Sequence, residues 1–261
     1  MFFLILSLSV FFSRDIEAQV VFNQNSKIET PPQYYLQVKQ FGEFLDRFNY
    51  LSDWKGKLIT PEFEAKVPRE QYLFYLLNSE DKRLSDPIDS SYRITCSDFI
   101  AAVCQAENPL KIELFKGQVK ALANVSIKYM GKEQIVKMEL LPEVLNDRSA
   151  KWVINGVEAS CFSSVEDSLR QNFLAPNSHE TNFINLLKLN GPSDPLFYFS
   201  NGLATNQTLL FLSELAKERI EILSIQKLTY MISFPGWEIS VDEFSRETNN
   251  SGWLISEVKK L

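Results

Sequence analysis

A single histidine, His179, limits the chemistry open to this chain. Imidazole is the side chain that exchanges its proton near neutral pH without help, and zinc sites commonly use two or three of them. A multi-histidine zinc site within one chain is therefore excluded. Cys161 follows a predicted strand and precedes Phe162-Ser163-Ser164. With His179 it could form a thiolate–imidazole pair. A packed thiol and a histidine at a helix start explain both residues more simply. Ser178, Glu180 and Thr181 have the composition of a helix start, with Ser178 or Thr181 as the cap. Adjacent acids occur as Glu80-Asp81, Glu166-Asp167 and Asp242-Glu243. On a strand such neighbours point to opposite faces, which suits solvation better than shared acid–base work. No HExxH, CxxC, phosphate loop or GxGxxG is present, and glycines number only 9. The expectation is no metal site and no cofactor, with catalytic and ligand-binding residues not identifiable. An enzyme here would need a carboxylate, Tyr or Cys whose pKa is strongly moved by burial beside a specific partner.

Aromatic residues are the more suggestive feature. The chain has 20 Phe, and Phe41, Phe44, Phe48, Tyr72, Phe74 and Tyr75 fall on the first two predicted helices. They are expected to fill the concave side of a sheet or to rim it. The other reading is the lining of an apolar cavity for a hydrophobic ligand.

The elements that must position these groups change character along the chain. Phe2–Phe12 is an apolar run too short to span a bilayer of about 30 Å, and it matches the core of a signal peptide ending near Ala18. No Lys or Arg precedes it. The expectation is an exported protein, periplasmic or extracellular, whose mature chain starts near Gln19. Residues 19–33 read as a linker ending in Pro31-Pro32. Net charge is −6 with no basic cluster, so nucleic acid is not an expected partner. Cys96, Cys104 and Cys161 are odd in number. The first two are separated by about two helical turns, roughly 11 Å, which is too far for a bridge. Free, packed thiols are expected.

Val38, Phe41, Phe44, Leu45 and Phe48 recur at helical spacing. Residues 50–67, with Gly56 and Pro61, read as loop. Pro68 opens a second helix carrying Tyr72, Leu73, Leu76 and Leu77 inward, and a short third helix is predicted over 98–107. Period-two alternation then predicts strands in PLKIELFKG, VKALANVSIKY, EQIVKMELL and KWVINGV. A helix is predicted from Glu180. A further helix in TLLFLSELAKER precedes four more strands: IEILSIQK, LTYMISF, WEISVDEF and WLISEVKKL.

Helix followed by four strands thus occurs twice, each time closing on Trp, an aliphatic residue and Ile (Trp152–Ile154, Trp253–Ile255). This predicts an α+β protein with helices packed on curved antiparallel sheets, in two related cone-like units spanning 34–160 and 161–261. The arrangement over 34–158 resembles the nuclear-transport-factor-like superfamily, which includes polyketide-cyclase-like and ketosteroid-isomerase-like proteins. That resemblance implies a sheet curled round its helices, and in enzymes of the group an acid, Tyr or His inside the cone. No local motif marks those positions here. SHETNFINL and NNSGWLIS are similar to uncharacterised exported proteins of Bacteroides-like bacteria, which imply no activity. The expectation is a non-catalytic exported module binding a hydrophobic small ligand or a partner protein. The alternative is a cone-fold hydrolase or isomerase using a buried Asp or Tyr.

Overall fold

The computed structural model describes residues 37–105, 107–144, 150–162, 199 and 205–261. The signal-peptide and linker expectations, the helix from Glu180, the Ser178–Thr181 cap, His179 and Glu166-Asp167 lie outside them. Six antiparallel strands form one sheet in the order β3-β2-β1-β4-β5-β6. They are β1 Val119–Tyr129, β2 Lys132–Val144, β3 Ala150–Glu158, β4 Ile220–Phe234, β5 Trp237–Phe244 and β6 Gly252–Lys260. Among the described residues the helices are α1 Phe41–Phe48, α2 Pro61–Lys66, α3 Arg69–Phe74, α4 Ser91–Cys104 and α5 Asn206–Ala216.

Alternation decides which face of each strand is covered. Val119, Ala121, Ala123, Val125 and Ile127 of β1 are buried on one face with Val136, Met138 and Leu140 of β2. Met130 and Gly131 both have positive φ and close the β1–β2 hairpin, as a turn matched to strand twist requires. Gly236 does the same between β4 and β5. The sheet is curled. Tyr230 on β4 lies three strands from β3, about 14 Å in a flat sheet. Its ring centroid is nevertheless only 5.8 Å from that of Trp152 on β3, and 5.0 Å from that of Trp253 on β6.

The hollow of this curl is filled by α1 and α4. Phe41 stacks on Tyr230, Phe44 stacks on Phe41, and Phe48 packs between Phe99 and Phe234. Phe41, Phe44, Phe48 and Tyr72 are buried, whereas Phe74 and Tyr75 are exposed. The six predicted aromatics therefore divide into four core residues and two at the rim.

The predicted strand runs join in one sheet, because β1 pairs with β4 along its length. Each run has three strands rather than four, for two separate reasons. PLKIELFKG is not a strand. The Asn49 carboxamide bonds both the carbonyl and the N–H of Ile112, at 2.9 and 2.7 Å, and Arg69 takes the Leu110 carbonyl at 2.6 Å. Side chains thus satisfy backbone groups that a sheet partner would otherwise bond. IEILSIQK and LTYMISF are one strand, β4, in which Leu223 and Gln226 are bulged residues opposite β1.

Helix boundaries also differ from expectation. Residues 50–67 contain α2, which starts on Pro61 with Thr60 as its cap. Helix α4 begins at Ser91, a full two turns before the predicted start, and α3 stops at Phe74 with Leu76 and Leu77 buried beyond it.

The two meanders correspond closely. Ile154 faces Leu140, Ile255 faces Val241, and a bulge follows each isoleucine, at Asn155 and at Ser256. Trp152 and Trp253 sit at matching places on the two outer strands, and both are buried. The packing is exchanged between halves: α4 lies on β6 and α5 lies on β3. Both outer edges are bridged by parallel neighbours, Val38 and Leu77 on β6 and Phe199 on β3.

Candidate aromatic surface site

Beyond the filled core, five aromatic rings gather where α2 and α3 meet the segment after α1. Residues 51–59 form a small hairpin: Asp53 and Lys57 are backbone-bonded, and Ile59 N–H donates to the Leu51 carbonyl. The Asp53 carboxylate accepts the N–H groups of both Lys55 and Lys57, and Gly56 takes a positive φ at the apex. This folds Trp54 back onto Phe63 of α2 at 4.9 Å and onto Tyr72 of α3 at 5.8 Å. Tyr50 and Tyr75 complete the group, at 5.5 Å from Tyr72 and 6.1 Å from Trp54 respectively. Edge-to-face geometry prevails, as ring quadrupoles prefer.

Two phenols lock the cluster. Tyr50 Oη donates to the Val67 carbonyl at 2.6 Å and Tyr72 Oη to the Ser52 carbonyl at 2.9 Å. Burial pushes the Tyr72 phenol well above its ordinary value, and burial together with the nearby Glu64 charge raises that of Tyr50. Both hydroxyls are protonated at neutral pH and donate to backbone carbonyls. Tyr50 has φ +57°, an uncommon conformation for an aromatic residue, held by its neighbours. Exposed apolar side chains lie on the same segments, with Leu58 80 % exposed, Tyr75 41 %, and Leu51 and Phe74 also exposed, interspersed with exposed Lys55, Lys57, Glu62, Glu64 and Glu70.

The other predicted candidates are dispersed. Asp81 bonds Arg83, which reaches Glu257, and Glu80 pairs with Arg246. Asp242 is held by Lys227 at 3.0 Å and by Thr229 on the convex face, while Glu243 is exposed. Cys96 is buried, Cys104 and Cys161 are partly exposed, and all three are free thiols. Burial pushes Cys96 up to about 11 and raises the other two. A thiol so shifted is a poor nucleophile. The Cys161–His179 pairing lies outside the described residues. No aspartate is buried among the described residues. The buried acid Glu214 is pushed up by burial, but bonds from Lys217 and Arg219 outweigh this and hold it below its ordinary value. Lys151, buried on β3 opposite Glu143, is pushed down to about 8 by burial.

An open groove of about 160 Å³ crosses the convex face beside Lys137, Glu139, Asn155 and Glu158. Its charges already pair along the sheet, Lys120 with Glu139 and Lys137 with Glu158. Among the described residues no three His, Cys, Asp or Glu side chains are placed to hold a metal ion, and no helix is long and apolar enough to cross a membrane. Comparison with protein families, with curated proteins and with solved structures finds no match.

Sequence reasoning named Tyr72, Phe74 and Tyr75 but missed Trp54, Phe63 and Tyr50. The signal for Trp54 was the turn Asp53-Trp54-Lys55-Gly56, which holds a large ring where loop residues are usually small and polar.

Proposed function

We propose that this protein is an exported, non-catalytic interaction module that docks a partner protein on the Trp54–Tyr75 aromatic surface. The observation carrying this reading is the division of the aromatics: the hollow of the sheet is occupied by Phe41, Phe44 and Phe48, while Tyr75 and Leu58 are exposed outside and Trp54, against Tyr75, is partly covered. Tryptophan and tyrosine dominate the strongest positions of protein interfaces, because they bring large area at small entropic cost. The reading of the interior as a cavity for a hydrophobic ligand has less support, since the same space holds stacked rings. Export rests on the apolar N-terminal run. Kinship with the nuclear-transport-factor-like superfamily, and descent of the halves from one cone-like unit, belong to the same proposal. The matched bulges at Asn155 and Ser256 and the paired tryptophans support the common descent, and the curled antiparallel sheet with helices in its hollow supports the kinship.

The test is a double variant, Leu58→Ser with Tyr75→Ala. Leu58 is 80 % exposed and Tyr75 packs edge-on against Trp54 at 6.1 Å, so unfolding should shift by about 1–2 kcal/mol, short of the loss at a core position. Size-exclusion of the exported fraction from the native host should show wild-type protein in a complex and the variant as monomer. An unchanged complex rejects the surface.

A further inference from the structure

We infer that the chain is a two-fold dimer fused into one polypeptide, whose halves, residues 37–162 and 206–261, hold each other without the segment that joins them. The inference rests on the likeness of the halves proposed above and not on the docking surface. One row of paired residues crosses all six strands: Ile154, Leu140, Ala121, Tyr230, Val241 and Ile255. From either edge the order is the same. An isoleucine followed by a bulged residue faces an aliphatic residue, which faces the central pair. Antiparallel pairing of β1 with β4 in this register is what a two-fold axis between Ala121 and Tyr230 generates. A slip of one residue would destroy the match. Tyr230 stands beside that axis, and its ring touches one tryptophan from each half, Trp152 at 5.8 Å and Trp253 at 5.0 Å.

Each half also completes the other's sheet. Phe99 of α4 packs on Phe234 and Trp237, both at 5.7 Å between centroids. The edge of β6 is closed from the first half, where Trp253 N–H donates to the Val38 carbonyl and Ile255 N–H to the Leu76 carbonyl, at 2.8 and 2.7 Å. In return, Thr208 and Gln207 of α5 accept the Val157 and Ala159 N–H groups at the edge of β3, at 2.9 and 2.8 Å. Separated halves would leave β1 and β4 unpaired at the seam and both outer edges open, with backbone groups lacking partners. All of these contacts lie outside residues 163–205, so the covalent link is not what joins the halves.

The test produces the sequence as two chains in the same cells, 19–177 carrying an affinity tag and 178–261 untagged, so that neither has to fold alone. Affinity capture and size exclusion should recover both chains at one to one, in a species the size of the unbroken protein. Urea unfolding of the pair should show a midpoint that rises with protein concentration, whereas that of the unbroken chain stays constant. Tyr230→Ala in the shorter chain should weaken the pair by at least about a hundred-fold, through the cavity left at the axis. Recovery of the tagged chain alone, or of neither chain in soluble form, overturns the inference. A pair indifferent to Tyr230→Ala overturns it as well. Either failure leaves the docking surface standing, since that is tested at Leu58 and Tyr75 in the unbroken chain.

Discussion

Replacing Gly252 by Ala tests how the β6 edge is held. Gly252 has φ +85°, and a Cβ there would lie 1.9 Å from the Val38 carbonyl oxygen and 2.5 Å from its carbon. Those atoms are backbone, so no side chain can swing aside. The segment carrying Val38 must lift from the strand. It would lose the bonds from Val38 N–H to the Ser251 carbonyl and from Trp253 N–H to the Val38 carbonyl, at 3.0 and 2.8 Å. Each is worth about 1 kcal/mol net. Left-handed strain on alanine adds about 1–2 kcal/mol. Exposure of Val38, fully buried in the fold, adds up to about 1.5 kcal/mol. The total is about 3–5 kcal/mol. Urea unfolding followed by tryptophan fluorescence should show the midpoint falling by about 1.5–2.5 M at constant slope, taking a slope of about 2 kcal/mol/M. Gly131→Ala is the control: its φ is +77° but the space beyond it is open, so strain alone applies, about 1–2 kcal/mol. If Gly252→Ala costs no more than Gly131→Ala, the clash and the edge latch are misjudged.

Other outcomes follow from the same geometry. Trp152→Ala and Trp253→Ala should each destabilise by about 3–5 kcal/mol in denaturant, because each ring packs on Tyr230 from one side of the curl. A cost below about 1 kcal/mol for either contradicts the curled core. Asn49→Leu removes both side-chain bonds to Ile112 and should cost about 2–4 kcal/mol; a neutral result would mean that Ile112 finds water instead. The Cys96 thiol gives a pH dependence. It is neutral in both states below about 9; above that the unfolded thiol ionises, while the folded one stays protonated up to about 11. Stability should therefore fall as pH rises from 9 to 11, and Cys96→Ala should remove that component of the slope. Identical pH–stability curves for the two proteins would refute it.

Strand content was legible wherever alternation was unbroken and a turn residue closed it. β1 with Met130-Gly131, and the second half of β4 with Pro235-Gly236, are such cases. The errors have physical causes. Leu223 and Gln226 interrupt the alternation of β4 because they bulge, so one strand reads as two. PLKIELFKG alternates like a strand, but its partner is the side chain of Asn49, which no local pattern announces. The start of α4 was hidden because Ser91, Arg93 and Thr95 obscure the apolar stripe that Cys96, Phe99 and Ile100 make plain one turn later. At the site, helical spacing marked Tyr72 as inward. It could not tell that Trp54, eighteen positions earlier in the chain, folds back over it, because that depends on Asp53 organising a turn. Exposed Phe74 and Tyr75 escaped the core because α3 ends between them and the chain turns toward Leu76 and Leu77.

Site-specific photo-crosslinking in the native host tests the proposed surface most directly. A benzophenone side chain replaces Leu58 at the hairpin or, in a separate protein, Lys137 on the convex face. Both positions are exposed, so both tolerate the probe. The account predicts a discrete higher-mass adduct from position 58 and none from position 137. An adduct from 137 alone, or identical adducts from both, would contradict it.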